Sequence, residues 1–284
     1  MKKFLSLLLA LTMALSLAAC GTSSTPAADR SGSASGDDAK PITLVVFAAA
    51  SMTETLTEIA GNYKAVAPNV TLRFNVDSSG KLLTQIEEGA PCDLFLSAAP
   101  KQMNALDGSL KDDAEKNPKG QDMLVEGSRI DLLENKVTLA VPQGNPKGIE
   151  SFDQLADLLQ NGDVMLAIGN SDVPVGQYTQ KIFAYYGIDE ASITDQITYG
   201  NNVKEVTTQV TEAAADCGII YATDAFSAGL TTVDSATAEM CGQVIYPAAV
   251  LKDGQTEAAQ AFLDYLQTEE AMAVFRSVGF SPAN

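Results

Sequence analysis

From residue 41 onward, short apolar, β-branched runs alternate with stretches whose apolar positions recur every three or four residues. Ile42 to Phe47 reads as a buried strand. From Ser51, the positions Met52, Leu56, Ile59, Tyr63 and Val66 trace one face of a helix. Val70 to Val76 alternates as a second strand. Leu82, Leu83 and Ile86 open another helix, which Gly89-Ala90-Pro91 ends, and Asp93 to Leu96 is a third short strand. Further strands are expected at Lys136 to Val141, Val164 to Ile168, Gly218 to Tyr221 and Val244 to Leu251. Helices are expected at Phe152 to Leu159, at Gln177 to Tyr186 with Gly187 as its stop, around Val203, Val206 and Val210, and as one long closing helix from Thr256 to Phe275. Strand–helix alternation of this kind predicts an α/β fold of parallel sheets covered by helices, with no internal repeat. Ligands of such sheets gather beyond the carboxyl ends of the strands, so the strand-to-helix turns are where chemistry is expected.

The N-terminus has a different pattern. Lys2 and Lys3 precede an uncharged apolar run, Phe4 to Ala19, that is shorter than the ~20 residues of a membrane span. It ends in Leu17-Ala18-Ala19-Cys20, which resembles the bacterial lipobox. Residues 1–19 are therefore expected to be a lipoprotein signal peptide, with Cys20 acylated as the new first residue. Residues 20–40, rich in Ser, Gly, Ala and Asp, read as a flexible tether. The expected location is the extracytoplasmic face of the cell membrane, held by the lipid alone.

Charge narrows the partners. The chain carries 36 Asp and Glu against 18 Lys and Arg, a net charge of −18. Loss of Lys2 and Lys3 with the leader makes it more acidic still. Nucleic acid is a poor partner for such a surface, and any anion site must rely on local donors. The chain has no histidine, which excludes Ser-His and Cys-His catalysis and histidine metal sites. Cys92, Cys217 and Cys241 are scattered without a Cys-x-x-Cys pair, which argues against structural zinc. A Cys217–Cys241 bridge and buried free thiols both remain open readings. No resident cofactor or free metal cation is expected.

Four turns share a character: Ala48-Ala49-Ala50-Ser51, Asp77-Ser78-Ser79-Gly80, Asp172-Val173-Pro174-Val175-Gly176 and Gly200-Asn201-Asn202-Val203. Each precedes a predicted helix and is built largely of small or uncharged residues. A helix N-terminus offers unpaired N–H groups and roughly half a positive charge. Four such ends sum crudely to about +2, enough for a dianion without lysine or arginine. Spacing alone does not show that they converge; singly, the serines read as N-caps and Val-Pro-Val-Gly as a turn.

Several motifs resemble the molybdate-binding proteins of ABC transporters, the ModA type. They are Val46-Phe47-Ala48-Ala49-Ala50-Ser51-Met52-Thr53, Gln85 to Ala98, Asp172 to Tyr178, Gly218 to Ala225, Tyr246-Pro247-Ala248-Ala249-Val250 and the ending Phe275 to Phe280. They run in register from about Ile42 to Phe280. The resemblance implies a two-lobed type II periplasmic-binding-protein fold, each lobe a mostly parallel sheet covered by helices, joined by two crossing hinge strands. Residues 41–135 plus 224–284 would form lobe I and residues 136–223 lobe II. It implies oxyanion ligation by the hydroxyls and N–H groups of Ser51 and Ser79, the backbone N–H of Val175 and Val203, and the phenol of Tyr221. It also implies capture of molybdate, with tungstate alongside, by a monomer that delivers it to an ABC-transporter permease. Cys92, Val175 and Asp77 depart from the family pattern; an inward-turned Asp77 would oppose the anion.

A donor-only cage admits deprotonated molybdate, tungstate or sulfate and disfavours protonated phosphate, whose O–H would find no acceptor. A sulfate carrier is thus one alternative. A ferric-ion binder is another, from the adjacent Tyr185 and Tyr186, although both read as helix residues. An acyl-enzyme of the Ser-x-x-Lys type, from Ser78 and Lys81, lacks the companion Ser-Asp-Asn and Lys-Thr-Gly motifs, and no enzyme is expected.

Overall fold

The computed structural model describes residues 40–283. The expected signal peptide, Cys20 and nearly all of the tether lie outside the described residues.

Two sheets organise the chain. The first begins with β1 (Ile42–Ala49), α1 (Thr53–Val66), β2 (Val70–Asp77), α2 (Ser79–Glu87), β3 (Leu94–Leu96), α3 (Pro100–Asn104) and β4 (Ile130–Asn135). The chain then enters the second through β5 (Val137–Val141), α4 (Phe152–Asn161), β6 (Leu166–Gly169), α5 (Pro174–Tyr186), β7 (Ile197–Gly200), α6 (Val203–Thr211), β8 (Cys217–Tyr221), α7 (Ala222–Ser227), β9 (Thr231–Ser235) and α8 (Ala238–Cys241). It returns through β10 (Val244–Val250), α9 (Thr256–Leu266), α10 (Glu269–Ser277) and β11 (Ser281–Pro282). The strand orders are β11-β4-β10-β3-β1-β2 and β7-β6-β8-β5-β9. β2, β1 and β3 are parallel, as are β7, β6 and β8. β10 and β5 run against their neighbours, so most strands of each sheet share one direction. Leu44, Val46 and Ala48 of β1 and all of β6 and β8 are buried, as parallel strands covered on both faces must be.

Local chemistry sets the helix boundaries. Ser78, Ser151 and Asn202 accept N–H bonds from the first turns of α2, α4 and α6. Pro174 opens α5, and Gly187 at φ 67° ends it as expected. The single closing helix is instead two: Thr268, with its side chain accepting from Ala271 N, caps a fresh start ahead of Glu269 and Glu270. Val66, placed by its period on the buried face of α1, is 61% exposed at the last turn of the helix. Pro247 sits inside a strand bonded on both sides, at a register shift beside Tyr246 where no ladder N–H is needed.

The second crossing between the sheets comes later than the expected boundary at residue 224. β9 pairs with β5, and α8 precedes the return at Gly242 and Gln243, so residues 224–241 belong with the second sheet. The polar sequence Thr-Thr-Val-Asp-Ser of β9 carries too little apolar alternation to announce a strand.

Candidate functional site

The carboxyl ends of both sheets face one cavity. Its walls are Ala49, Ala50 and Ser51 at the end of β1, Asp77, Ser78 and Ser79 at the end of β2, Ala98 after β3, Val173, Pro174 and Val175 at the start of α5, Val203 at the start of α6, and Tyr221 at the end of β8. Ser51, Ser79, Val175, Val203 and Tyr221, expected from five separate stretches of sequence, are thus brought together. The free space is only about 10 Å³, far below the ~300–1,000 Å³ of sites for larger organic ligands. The walls close around room for little more than a single small group.

The walls are rich in donors. Ser79 and Val203 are the first residues of α2 and α6, and Val175 is the second of α5, so their N–H groups precede the first intrahelical bond. Ser51 lies in a buried single turn of 3₁₀ helix, Ala50–Met52, leading into α1. Ser79 Oγ accepts the Ala98 N–H at 2.9 Å, which leaves its proton free for the cavity. Tyr221 is 1% exposed, and its hydroxyl has no hydrogen-bond partner among the described residues. Burial, helped by the Tyr246 and Tyr178 phenols and Asp224, pushes its pKa well above the ordinary tyrosine value, so it stays a neutral donor. An unmatched buried hydroxyl costs stability unless an acceptor arrives.

Asp77 is the one acid among the residues lining the cavity. Its Oδ1 is engaged by the Ser78 N–H at 2.7 Å, by Asn202 Nδ2 at 3.3 Å and by the Lys81 ammonium at 3.5 Å. The expected conflict between Asp77 and an anion is thereby reduced. Among the described residues, no Lys or Arg lines the cavity. Lys204, next to Val203, reaches away to Glu54 at 2.8 Å and to Asp224 Oδ1 at 3.1 Å. Burial raises the Asp224 carboxyl to about 6, although Lys204 acts against the rise.

Contacts across the cleft hold it shut. Asn202 bonds Asp77, Lys204 pairs with Glu54, and Gln102 Nε2 donates to Gln177 Oε1 at 3.3 Å. Gly80 also comes close: a Cβ there would stand 2.1 Å from the Asp172 carbonyl oxygen across the cleft. Sequence reasoning did not single out Asn202, Ala98, Asn135 or Tyr246 as site residues. For Asn202 the helix-capping signal was present; its partner 125 positions away was not.

The features behind the rival readings lie elsewhere or are otherwise engaged. Tyr185 is exposed, and Tyr186 donates to Asp153 at 2.8 Å; neither lines the cavity. Ser78 Oγ caps α2 by accepting the Lys81 backbone N–H, while the Lys81 ammonium turns to Asp77. Cys92, Cys217 and Cys241 are all buried free thiols, and burial lifts Cys92 and Cys217 to about 12. The Cys217–Cys241 bridge is not formed.

Residues 44–281 match the family model described as bacterial extracellular solute-binding protein. YvgL of Bacillus subtilis (strain 168), provisionally named an ABC transporter substrate-binding lipoprotein, is 32% identical over 283 residues, 99% of this chain and 98% of its own length. The molybdate-binding protein ModA of Haemophilus influenzae is 32% identical over 242 residues, covering 84% of this chain and 89% of its own. The solved periplasmic molybdate-binding protein of Azotobacter vinelandii shares the fold with a TM-score of 0.68 at 22% identity, over 85% of this chain and 100% of its own. Among the described residues no helix is long and apolar enough to cross a membrane.

Proposed function

The chain belongs to the bacterial extracellular solute-binding protein family, and from that premise we propose that it captures molybdate, with tungstate as an equivalent ligand, for import by an ABC transporter. One observation supports the reading above the rest. Ser51, Ser79, Val175, Val203 and Tyr221 line a single small cavity, with hydroxyls and helix-start amides among its walls, and the Tyr221 hydroxyl has no partner among the described residues. A tetrahedral dianion supplies acceptors in several directions, and charge-assisted bonds offset its desolvation. The converging starts of α1, α2, α5 and α6 favour negative charge there despite the acidic surface. Val175 differs from the family's usual alanine at no expense to the donor set, because only its N–H is used.

Hydrogen phosphate fits such walls poorly, since its O–H would face donors everywhere except at Asp77, the one lining group that could accept it. Sulfate meets the same hydrogen-bonding pattern and is the second reading, favoured by the smallness of the cavity. The closed cleft would be the form that a permease recognises, with the β4–β5 and α8–β10 crossings as hinge. Acylation of Cys20 would keep the protein at the extracytoplasmic membrane face.

A thermal-shift series with molybdate, tungstate, sulfate, phosphate and Fe(III) tests the reading. Molybdate and tungstate should raise the midpoint most, because binding to the folded state stabilises it by mass action. A shift with Fe(III) alone, or the largest shift with sulfate, contradicts the molybdate assignment.

A further inference from the structure

The Ser51 hydroxyl serves an anion only if its proton points into the cavity. Its oxygen lies 2.9 Å from the Tyr246 hydroxyl, both residues buried, and that pair alone leaves the direction of the bond open. A hydroxyl that spends its proton on Tyr246 would present lone pairs to the anion. The direction is settled two groups further back. Asn135 Oδ1 accepts the Lys136 N–H at 2.8 Å, which fixes the orientation of the amide. Its NH₂ therefore faces Thr223 Oγ1 at 3.0 Å and Tyr246 Oη at 3.2 Å, one hydrogen for each. An amide NH₂ has donors and no acceptor, so Tyr246 Oη must accept from it. Ser51 Oγ is the one remaining hydrogen-bond partner of the Tyr246 hydroxyl among the described residues, so the Tyr246 proton goes there and Ser51 keeps its own for the cavity. Burial holds the Tyr246 phenol protonated, so this polarity persists at neutral pH.

We infer that Asn135 and Tyr246 are positioning residues that orient the Ser51 hydroxyl as a donor to the oxyanion, and so help exclude ligands that carry an O–H. The chain Asn135 to Tyr246 to Ser51 is one-way, starting at the junction of β4 and β5 and ending in the cavity. It gives the buried Asn135 and Tyr246 side chains a task beyond packing. The inference rests on the proposed oxyanion site.

A double-mutant cycle read by calorimetry tests it, using the parent protein, Ser51→Ala, Tyr246→Phe and the double variant with molybdate and phosphate at pH 7. Tyr246→Phe should weaken molybdate binding about tenfold in the parent background, the order expected for a misdirected bond to a charged group. In the Ser51→Ala background the same change should cost less than about twofold. It should also narrow the ratio between molybdate and phosphate affinities, because a released Ser51 oxygen can accept the phosphate O–H. Asn135→Ala leaves both hydroxyls in place and should show the same dependence on Ser51 with a smaller loss, which keeps the test available if Tyr246→Phe folds poorly. Equal losses in both backgrounds, or an unchanged molybdate affinity in the single variants, overturn the inference while leaving the site intact. Failure of the parent protein to bind any oxyanion overturns the site and the inference together.

Discussion

Asn202 Nδ2 lies 3.3 Å from Asp77 Oδ1, so the cap of α6 is bonded across the cleft to the residue that ends β2. Asp77 thus both lines the cavity and ties its two walls. Asp77→Asn keeps an acceptor for Asn202 and the Ser78 N–H but removes the negative charge. We expect oxyanion affinity to rise in this variant, more at low than at high salt, because screening already weakens the repulsion. Calorimetric titrations at two ionic strengths check it; weaker binding would mean that the carboxylate serves closure more than it opposes the ion.

Removing either serine hydroxyl takes away a donor to a charged ligand. Ser51→Ala and Ser79→Ala should each weaken molybdate binding by roughly 1.5–3 kcal/mol. Ser79→Ala should also cost stability in the empty protein, because the Ala98 N–H loses its acceptor. Calorimetry and thermal melts separate the two effects.

Tyr221→Phe should move binding and stability in opposite directions. The empty protein should gain stability, on the order of 1 kcal/mol, since a buried hydroxyl without a partner among the described residues disappears. Anion affinity should fall for want of that donor. A variant that loses both would place the hydroxyl in a structural bond instead.

Asp224 supplies a pH signature. Its folded pKa of about 6 lies above the ordinary value of 3.8, so between those limits the folded state binds more protons than the unfolded one. Its contribution to stability is full below about pH 3.8 and is lost as pH rises through about 6. Asp224→Asn should flatten that part of a stability–pH curve measured by denaturant unfolding. Asp107, held below its ordinary value by Ser109 and Arg129, acts in the opposite sense at lower pH and should be unaffected.

Much of this arrangement was readable from residues in order. Strand and helix periods located β1, α1, β2, α2 and β3, and the capping residues marked where N–H groups would be free. The resemblance to molybdate-binding proteins supplied what spacing cannot, the convergence of Ser51, Ser79, Val175, Val203 and Tyr221. The unread parts are non-local or weakly patterned. β9 is short and polar, and β7 holds only four residues, so neither builds a period. The break between α9 and α10 depends on one capping threonine inside a helical pattern. Asn135, Tyr246 and Ser51 are separated by more than a hundred residues along the chain at their bonds to Tyr246, and no local signal marks a hydrogen bond's direction.

A crystal structure grown with molybdate, using the anomalous signal of molybdenum, tests the central claim most directly. The account predicts one strong peak inside the cavity, with oxyanion oxygens within hydrogen-bond reach of Ser51, Ser79 and Tyr221 hydroxyls and of the Val175 and Val203 amides. A peak elsewhere, or a cavity that stays empty at saturating molybdate, would contradict it.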